Sequence, residues 1–104
     1  MPKRYKVIVS PKAKMMLLEH MRFLSNVSVP AAKRFLTSFK EAKRQIGLFP
    51  LSGAYEEEPS LPAETYRKCL FYGRYKILYE AGTDEVYIDA IIDCRQDTDS
   101  LDFL

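Results

Sequence analysis

Residues 66–97 carry three strand-like runs separated by two turn signals, and this pattern constrains the fold more than any other stretch of the chain. Apolar side chains alternate with polar ones around Tyr75, Ile77 and Tyr79 and again over 86–92, which is the period of half-buried strands. Gly73 and the segment 81–84 supply the tight turns that hairpins need. The pattern predicts three consecutive antiparallel strands.

The first half of the chain predicts one strand followed by two amphipathic helices. Residues 5–9 alternate and are rich in β-branched side chains, whereas Ser10 and Pro11 suit the cap and the first position of a helix. A second serine and proline signal over 28–30 opens a longer helix, and Gly47 is predicted to end it. Because neither helix can bury its apolar stripe alone, we expect an antiparallel hairpin docked on the sheet.

A chain of 104 residues has the size of one domain. We expect a single α+β domain over 1–104, with an N-terminal strand, an antiparallel two-helix hairpin and an antiparallel-dominated sheet of about four strands. No apolar run approaches the ~20 residues that cross a bilayer, so the sequence predicts a cytoplasmic protein with no membrane contact. Cys69 and Cys94 match no zinc spacing, and neither a metal nor a cofactor is expected.

The charge is distributed unevenly along the chain. Residues 1–50 contain eleven Lys or Arg against two acids, a net charge of +9, whereas residues 51–104 contain five against twelve, a net charge of −7. Two interpretations of the basic half stay open: it binds a polyanion or an acidic partner, or it is only a solvated helix face. The candidate binding residues on the basic side of the second helix are Lys33, Arg34, Lys40, Lys43 and Arg44.

Several motifs, taken in order, resemble the RelE/ParE superfamily of bacterial toxins over nearly the whole chain. Arg67 stands early in the second strand, Gly-Arg-Tyr-Lys-Ile-Leu-Tyr over 73–79 forms the third, and Arg95 follows the fourth. The segment 48–53, Leu-Phe-Pro-Leu-Ser-Gly, is similar to another family segment. Members are type II toxins, also known as plasmid stabilisation proteins. The resemblance implies a cognate antitoxin as partner, and Arg67, Lys76 and Arg95 as functional cations.

The superfamily has two branches with different activities. RelE-like toxins act on the ribosome with its mRNA as metal-independent endoribonucleases, and there the three cations would stabilise charge on phosphate while tyrosines stack on bases. ParE-like toxins inhibit DNA gyrase by binding it, which requires no acid or base. The stacking candidates in this sequence are Tyr66, Tyr72 and Tyr75.

The sequence lacks the histidine or tyrosine that many RNA-cutting relatives place after the last strand for proton transfer. Residues 94–104 contain neither, and the single histidine of the chain, His20, falls on the stripe of the first helix, where packing is its expected role. Asp93, Asp97 or Glu80 would be an unusual acid, since solvated carboxylates are deprotonated at neutral pH. We therefore favour the gyrase-directed branch, with an RNA-cutting toxin and an inactive antitoxin-binding member as alternatives.

The three candidate cations are expected to converge at one rim of a curved sheet and to leave a positively charged hollow beneath the helices. The alternative is that they form ordinary ion pairs with acids of neighbouring strands, as surface cations often do. The acids considered for such pairs are Glu80, Asp89 and Asp93.

Overall fold

A computed structural model describes residues 4–95 as two helices against a four-stranded sheet. The sheet order is β1-β4-β3-β2, with β1 parallel to β4 and the other pairs antiparallel. The predicted α+β architecture is confirmed. Neither helix in this part of the chain is long and apolar enough to cross a membrane. The elements are β1 Lys6–Val9, α1 Pro11–Val27, α2 Val29–Leu48, β2 Arg67–Phe71, β3 Tyr75–Ala81 and β4 Glu85–Asp93.

Both helices begin where the serine and proline signals predict. The Ser10 hydroxyl accepts a hydrogen bond from the Ala13 N–H at 3.0 Å, and the Ser28 hydroxyl accepts one from the Ala31 N–H at 3.2 Å. Ser28 also closes α1, because its own N–H donates to the Leu24 carbonyl at 2.8 Å. A single residue therefore joins the two helices and forces the chain to reverse there.

Gly47 does not end α2 as predicted but lies inside the helix, which continues to Leu48. A β-carbon at Gly47 would lie 3.2 Å from Val7 Cγ2 and 3.3 Å from the Tyr5 carbonyl oxygen. The Tyr5 N–H donates to the Gly47 carbonyl at 2.9 Å, so the chain entering β1 lies directly against the last turn of α2. This glycine permits a close approach between two elements rather than an unusual backbone angle.

The main core lies between the helices and one side of the sheet, which we call the helix-facing side. It includes Phe35, Ile77 and Ile91, all fully buried, with Tyr75 and Tyr79 each 1% exposed. On the opposite side, the far side, a smaller cluster forms where Leu61 packs against Leu78, Ala90 and Ile92. Leu61 belongs to the connecting loop, residues 49–66, which therefore covers part of the far side.

Candidate functional site

Arg67 lies at the start of β2, on the helix-facing side, because it stands opposite Tyr79 in the antiparallel register. Its guanidinium turns into the connecting loop and donates to the Gly53 carbonyl at 2.8 Å and the Leu51 carbonyl at 3.3 Å. It also donates to the Tyr55 hydroxyl at 3.1 Å and lies 4.2 Å from that ring's centroid. A guanidinium has five donors, and these contacts use several of them to hold the loop.

Lys76 projects from the far side, since it stands opposite Leu70 and successive strand residues point to opposite faces. Its ammonium donates to one carboxylate oxygen of Glu56, a loop residue that is only 6% exposed. The ammonium of Lys68 lies 3.3 Å from the other oxygen of the same carboxylate. We call Glu56, Lys68 and Lys76 the Glu56 clamp.

The surroundings of the Glu56 carboxyl group favour its ionised form. Burial alone would raise the pKa of Glu56, but the hydrogen bonds and charges of Lys76 and Lys68 outweigh burial and hold that pKa below its usual range. The carboxylate therefore remains ionised and neutralises much of the positive charge of its two partners. The Lys76 ammonium is paired with this loop acid, and the Lys76 side chain is 19% exposed.

Arg95 follows β4 and pairs with Asp93, as the ion-pair alternative anticipated. Its guanidinium lies 3.3 and 3.4 Å from the Asp93 oxygens, and its backbone N–H donates to Asp93 at 2.9 Å. Arg74, which the sequence reasoning did not select, places Nε 3.6 Å from the same carboxylate and donates to the Tyr75 hydroxyl at 3.2 Å. Burial would raise the pKa of Asp93, but its bonds to Arg95 and the charges of both arginines lower it.

The three predicted cations therefore do not converge, and the expectation of one shared rim is wrong. Arg67 stands at the level of Tyr79, whereas Arg95 lies beyond Asp93, which stands opposite Tyr75. Four residues along β3 correspond to a separation of ~13 Å. Lys76 points away from both arginines, to the far side of the sheet.

The three tyrosines proposed to stack on bases are placed in three different surroundings. Tyr75 is 1% exposed and its ring lies 4.8 Å from that of Phe35, so the described structure holds it in the core. Tyr72 is half-buried at a positive φ of 48° in the β2–β3 turn, where its N–H donates to the Ser38 hydroxyl at 3.1 Å. Tyr66 is half-buried beside the far-side cluster.

His20 packs in the interior, as predicted. Its Nε2 lies 2.8 Å from the Ile91 carbonyl oxygen, and because a carbonyl only accepts, this nitrogen carries the proton. The imidazole centroid lies 5.1 Å from the ring of Tyr75 and 6.2 Å from that of Phe35. The ring is a packed donor rather than an exposed proton shuttle.

Two carboxyl groups, Glu80 and Asp89, meet on adjacent strands where the β3–β4 register shifts. Leu78 pairs with Ala90 and Tyr79 with Ile88, so Asp89 is left outside the regular ladder. Burial first, then a hydrogen bond with Glu80 and its charge, raise the pKa of Asp89 to about 7. Glu80, which we expected to be a solvated carboxylate, is half-buried. Asp97 lies outside the described residues.

Two grooves flank α2 and divide the predicted basic face between them. The α2–β2 groove, about 650 Å³ in volume, has Lys33 and Arg34 on its helix side and runs along the outer edge of β2. That edge is covered as far as Lys68, whose N–H donates to the Ala54 carbonyl at 2.9 Å, and beyond it Leu70 is 67% exposed. The α2–β1 groove, about 720 Å³ in volume, is lined by the cations Arg4, Lys6, Lys40, Lys43 and Arg44.

The fold consists of one strand, a helical hairpin and a three-stranded meander, with cations along the second helix. This class of protein is the toxin of the RelE/ParE superfamily. A family model described as the ParE toxin of the type II toxin–antitoxin system, parDE, matches residues 7–98, so the chain belongs to the ParE toxin family. The fold is similar to that of a chain from the chromosomal ParDE TA system of P. aeruginosa, with a TM-score of 0.71 and 13% sequence identity. That similarity covers 86% of this chain and 96% of the other. No curated protein matches the sequence.

Proposed function

We propose that the protein is a toxin that arrests bacterial growth by binding DNA gyrase in the cytoplasm and that a cognate antitoxin neutralises it. Membership of the ParE toxin family supports the toxin role. The observation that favours binding over RNA cleavage is that two of the expected catalytic cations are already bonded to groups within the fold. Arg67 donates to loop carbonyls, and Lys76 is neutralised by the buried carboxylate of Glu56.

Cleavage of mRNA needs cations at the phosphate together with a positioned acid and base. Among residues 4–95, the histidine is packed against Tyr75 and bonded to the Ile91 carbonyl. Asp89 is partly protonated at neutral pH, but it lies beside Glu80, whose negative charge opposes the approach of a phosphate. No pair of groups in this part of the chain supports the RNA-cutting alternative, in which the ribosome with mRNA is the target.

The α2–β2 groove supports the proposed binding of an antitoxin. Its floor includes the buried side chains of Ala42 and Phe71, and Lys33 and Arg34 stand on its helix side. Because Lys68 directs its N–H outward, Leu70, two residues further along β2, directs its backbone groups the same way. An extended segment with apolar and acidic side chains would pair with this edge and meet the two cations.

The toxin role is tested by inducing the chain in a bacterial host with and without the product of the neighbouring reading frame. We expect growth arrest that the neighbour relieves, accompanied by gyrase-dependent DNA breaks and intact messages. Codon-dependent breaks in translated messages, mapped by primer extension, would overturn the choice of target. Normal colony formation by a folded, abundant protein would leave only the alternative that the chain is an inactive family member that binds an antitoxin.

A charge swap tests whether Lys76 acts on a target or only in the Glu56 clamp. The double variant Glu56→Lys/Lys76→Glu keeps the net charge and the ion pair between positions 56 and 76, and it places an acid at the predicted catalytic position. It also turns the contact of residue 56 with Lys68 into a repulsion, so folding of the variant is verified first. We expect toxicity to survive the swap, because the ion pair has a structural role in our account. Loss of toxicity with an unchanged circular dichroism spectrum and expression level would contradict this structural role and would indicate that Lys76 contacts a phosphate.

A further inference from the structure

The α2–β1 groove is lined by five cations and, among the described residues, by no carboxylate, and the antitoxin proposal does not use it. Arg44 forms two hydrogen bonds with Glu41, at 2.7 and 3.2 Å, and is therefore paired with an acid that lines the α2–β2 groove. For the other four cations, no carboxylate in the described part of the chain lies within ion-pair distance. These four are Arg4, Lys6, Lys40 and Lys43.

The groove is built on rigid elements that the sequence forces together. Gly47 allows the chain at Tyr5 to approach the last turn of α2, and the Tyr5 N–H donates to its carbonyl at 2.9 Å. One wall is therefore β1 and the other is the end of α2. Lys40 and Lys43 are three residues apart on the helix, an axial span of ~4.5 Å, which is on the order of the spacing of phosphates along one nucleic-acid strand.

The helix dipole does not explain these cations. The carbonyl end of a helix attracts cations chiefly in its last turn, and α2 carries no basic residue there, because Lys43 and Arg44 lie one turn earlier. Nor does the dipole explain why Arg4 and Lys6, which come from a different element, add positive charge to the same space against the repulsion of the helix cations. An anionic ligand between the two walls would turn this repulsion into attraction.

The chemistry of the lining distinguishes between two kinds of polyanion. An acidic peptide draws much of its affinity from apolar anchors, which the α2–β2 groove offers in Ala42 and Phe71. The α2–β1 groove is lined by five long cationic side chains, with Tyr5 and Val7 as its apolar contributions. A lining dominated by cations suits a phosphodiester backbone, whose binding is largely electrostatic and independent of sequence.

We propose that the α2–β1 groove binds the phosphate backbone of nucleic acid. The site is separate from the α2–β2 groove, and the proposal does not depend on gyrase being the target. Its ligand is a phosphodiester chain, which either DNA or RNA supplies.

The test is fluorescence anisotropy of the full-length chain with short fluorescein-labelled duplex DNA, single-stranded DNA and single-stranded RNA over a range of salt concentrations. We compare the triple variant Lys6→Gln/Lys40→Gln/Lys43→Gln with a matched control on α1, Lys12→Gln/Lys14→Gln/Arg22→Gln, whose three side chains are exposed and line neither groove. Both variants lose the same charge. Circular dichroism of each variant verifies that it is folded.

We expect the groove variant to bind duplex DNA at least about tenfold more weakly and its salt slope to fall by about 0.9 for each lost phosphate contact. The control should bind like the unchanged chain. The DNA and RNA probes then identify which nucleic acid binds more tightly. Equal losses in both variants would overturn the proposal, since general net charge would then explain binding.

A polyglutamate competitor provides the second arm of the test. Should it bind the groove more tightly than the nucleic acids do, the site is one for an acidic peptide and the proposal is wrong. Because gyrase is absent from these assays, failure here leaves the gyrase proposal intact. A failed gyrase experiment likewise leaves this binding measurement unaffected.

Discussion

The Glu56 clamp should be one of the most costly polar interactions to remove, although it joins a loop to a sheet. In Glu56→Ala, the ammonium groups of Lys68 and Lys76 lose their shared carboxylate and repel each other. The loop also loses the contact that holds residue 56 against the far side. We expect a protein that folds but is clearly less stable and exposes more of the sheet around Lys76.

The size of the effect follows from the exposure of the three groups. Removing one partner of a fully buried ion pair costs about 3–5 kcal/mol, whereas fully exposed pairs contribute about 0–1 kcal/mol. Glu56 is buried, but the side chains of Lys76 and Lys68 are 19% and 39% exposed, so water compensates part of the loss. We therefore expect about 2 kcal/mol, which lowers the melting temperature of a domain of this size by roughly 8–16 °C.

Urea denaturation followed by circular dichroism measures this change, with Glu57→Ala as the matched control. Glu57 is exposed, so its loss should change the free energy of unfolding by less than about 0.5 kcal/mol. The stabilisation by Glu56 should vanish as the pH falls through its lowered folded-state pKa, because the carboxylate is then protonated. Equal and small effects of both variants would refute the reasoning and show that the clamp contributes little.

Three further substitutions test the surroundings of the loop and the acid pair. Asp89→Asn should stabilise the protein increasingly between about pH 4 and about pH 7, by about 1–2 kcal/mol at the upper end. The folded-state pKa of about 7 lies above the unfolded value, so the native state loses stability as the pH rises through this range. A constant difference in urea midpoint would contradict this. Gly53→Ala should cost about 1–3 kcal/mol, since its β-carbon would lie 2.5 Å from the Tyr79 hydroxyl and 2.6 Å from the Lys68 carbonyl oxygen; an unchanged melting temperature would show that the loop shifts freely. Tyr79→Phe should cost about 1–2 kcal/mol in urea denaturation, because the Pro50 carbonyl loses its donor at 2.9 Å; a neutral result would mean that water replaces it.

The fold was largely predictable because its signals are local. Helix starts depend on Ser10 and Ser28, and strand faces depend on alternation that is visible in the sequence. Gly47 was assigned wrongly because glycine after an apolar stripe is typical of a helix end. Its actual role, close contact with Val7, depends on the packing of β1, which no local pattern reveals.

The candidate site was less predictable because it depends on register and on an irregular loop. The alternation that places Tyr75 in the core also places Lys76 on the far side, but the side taken by Arg67 follows from its pairing with Tyr79, which the turn at Gly73 determines. Glu56 lies in a loop without periodicity, so its burial against two lysines could not be read from spacing. The family resemblance suggested three cations without indicating which internal partners they had.

We propose that this toxin acts by binding gyrase and does not cleave RNA. The most direct measurement is made with purified components: gyrase with supercoiled plasmid in one reaction, and ribosomes translating a defined message in the other. We predict that the chain increases the fraction of plasmid cut after detergent quenching, only when gyrase is present, and leaves the message intact. An uncut plasmid together with a message cleaved on the ribosome would contradict the account.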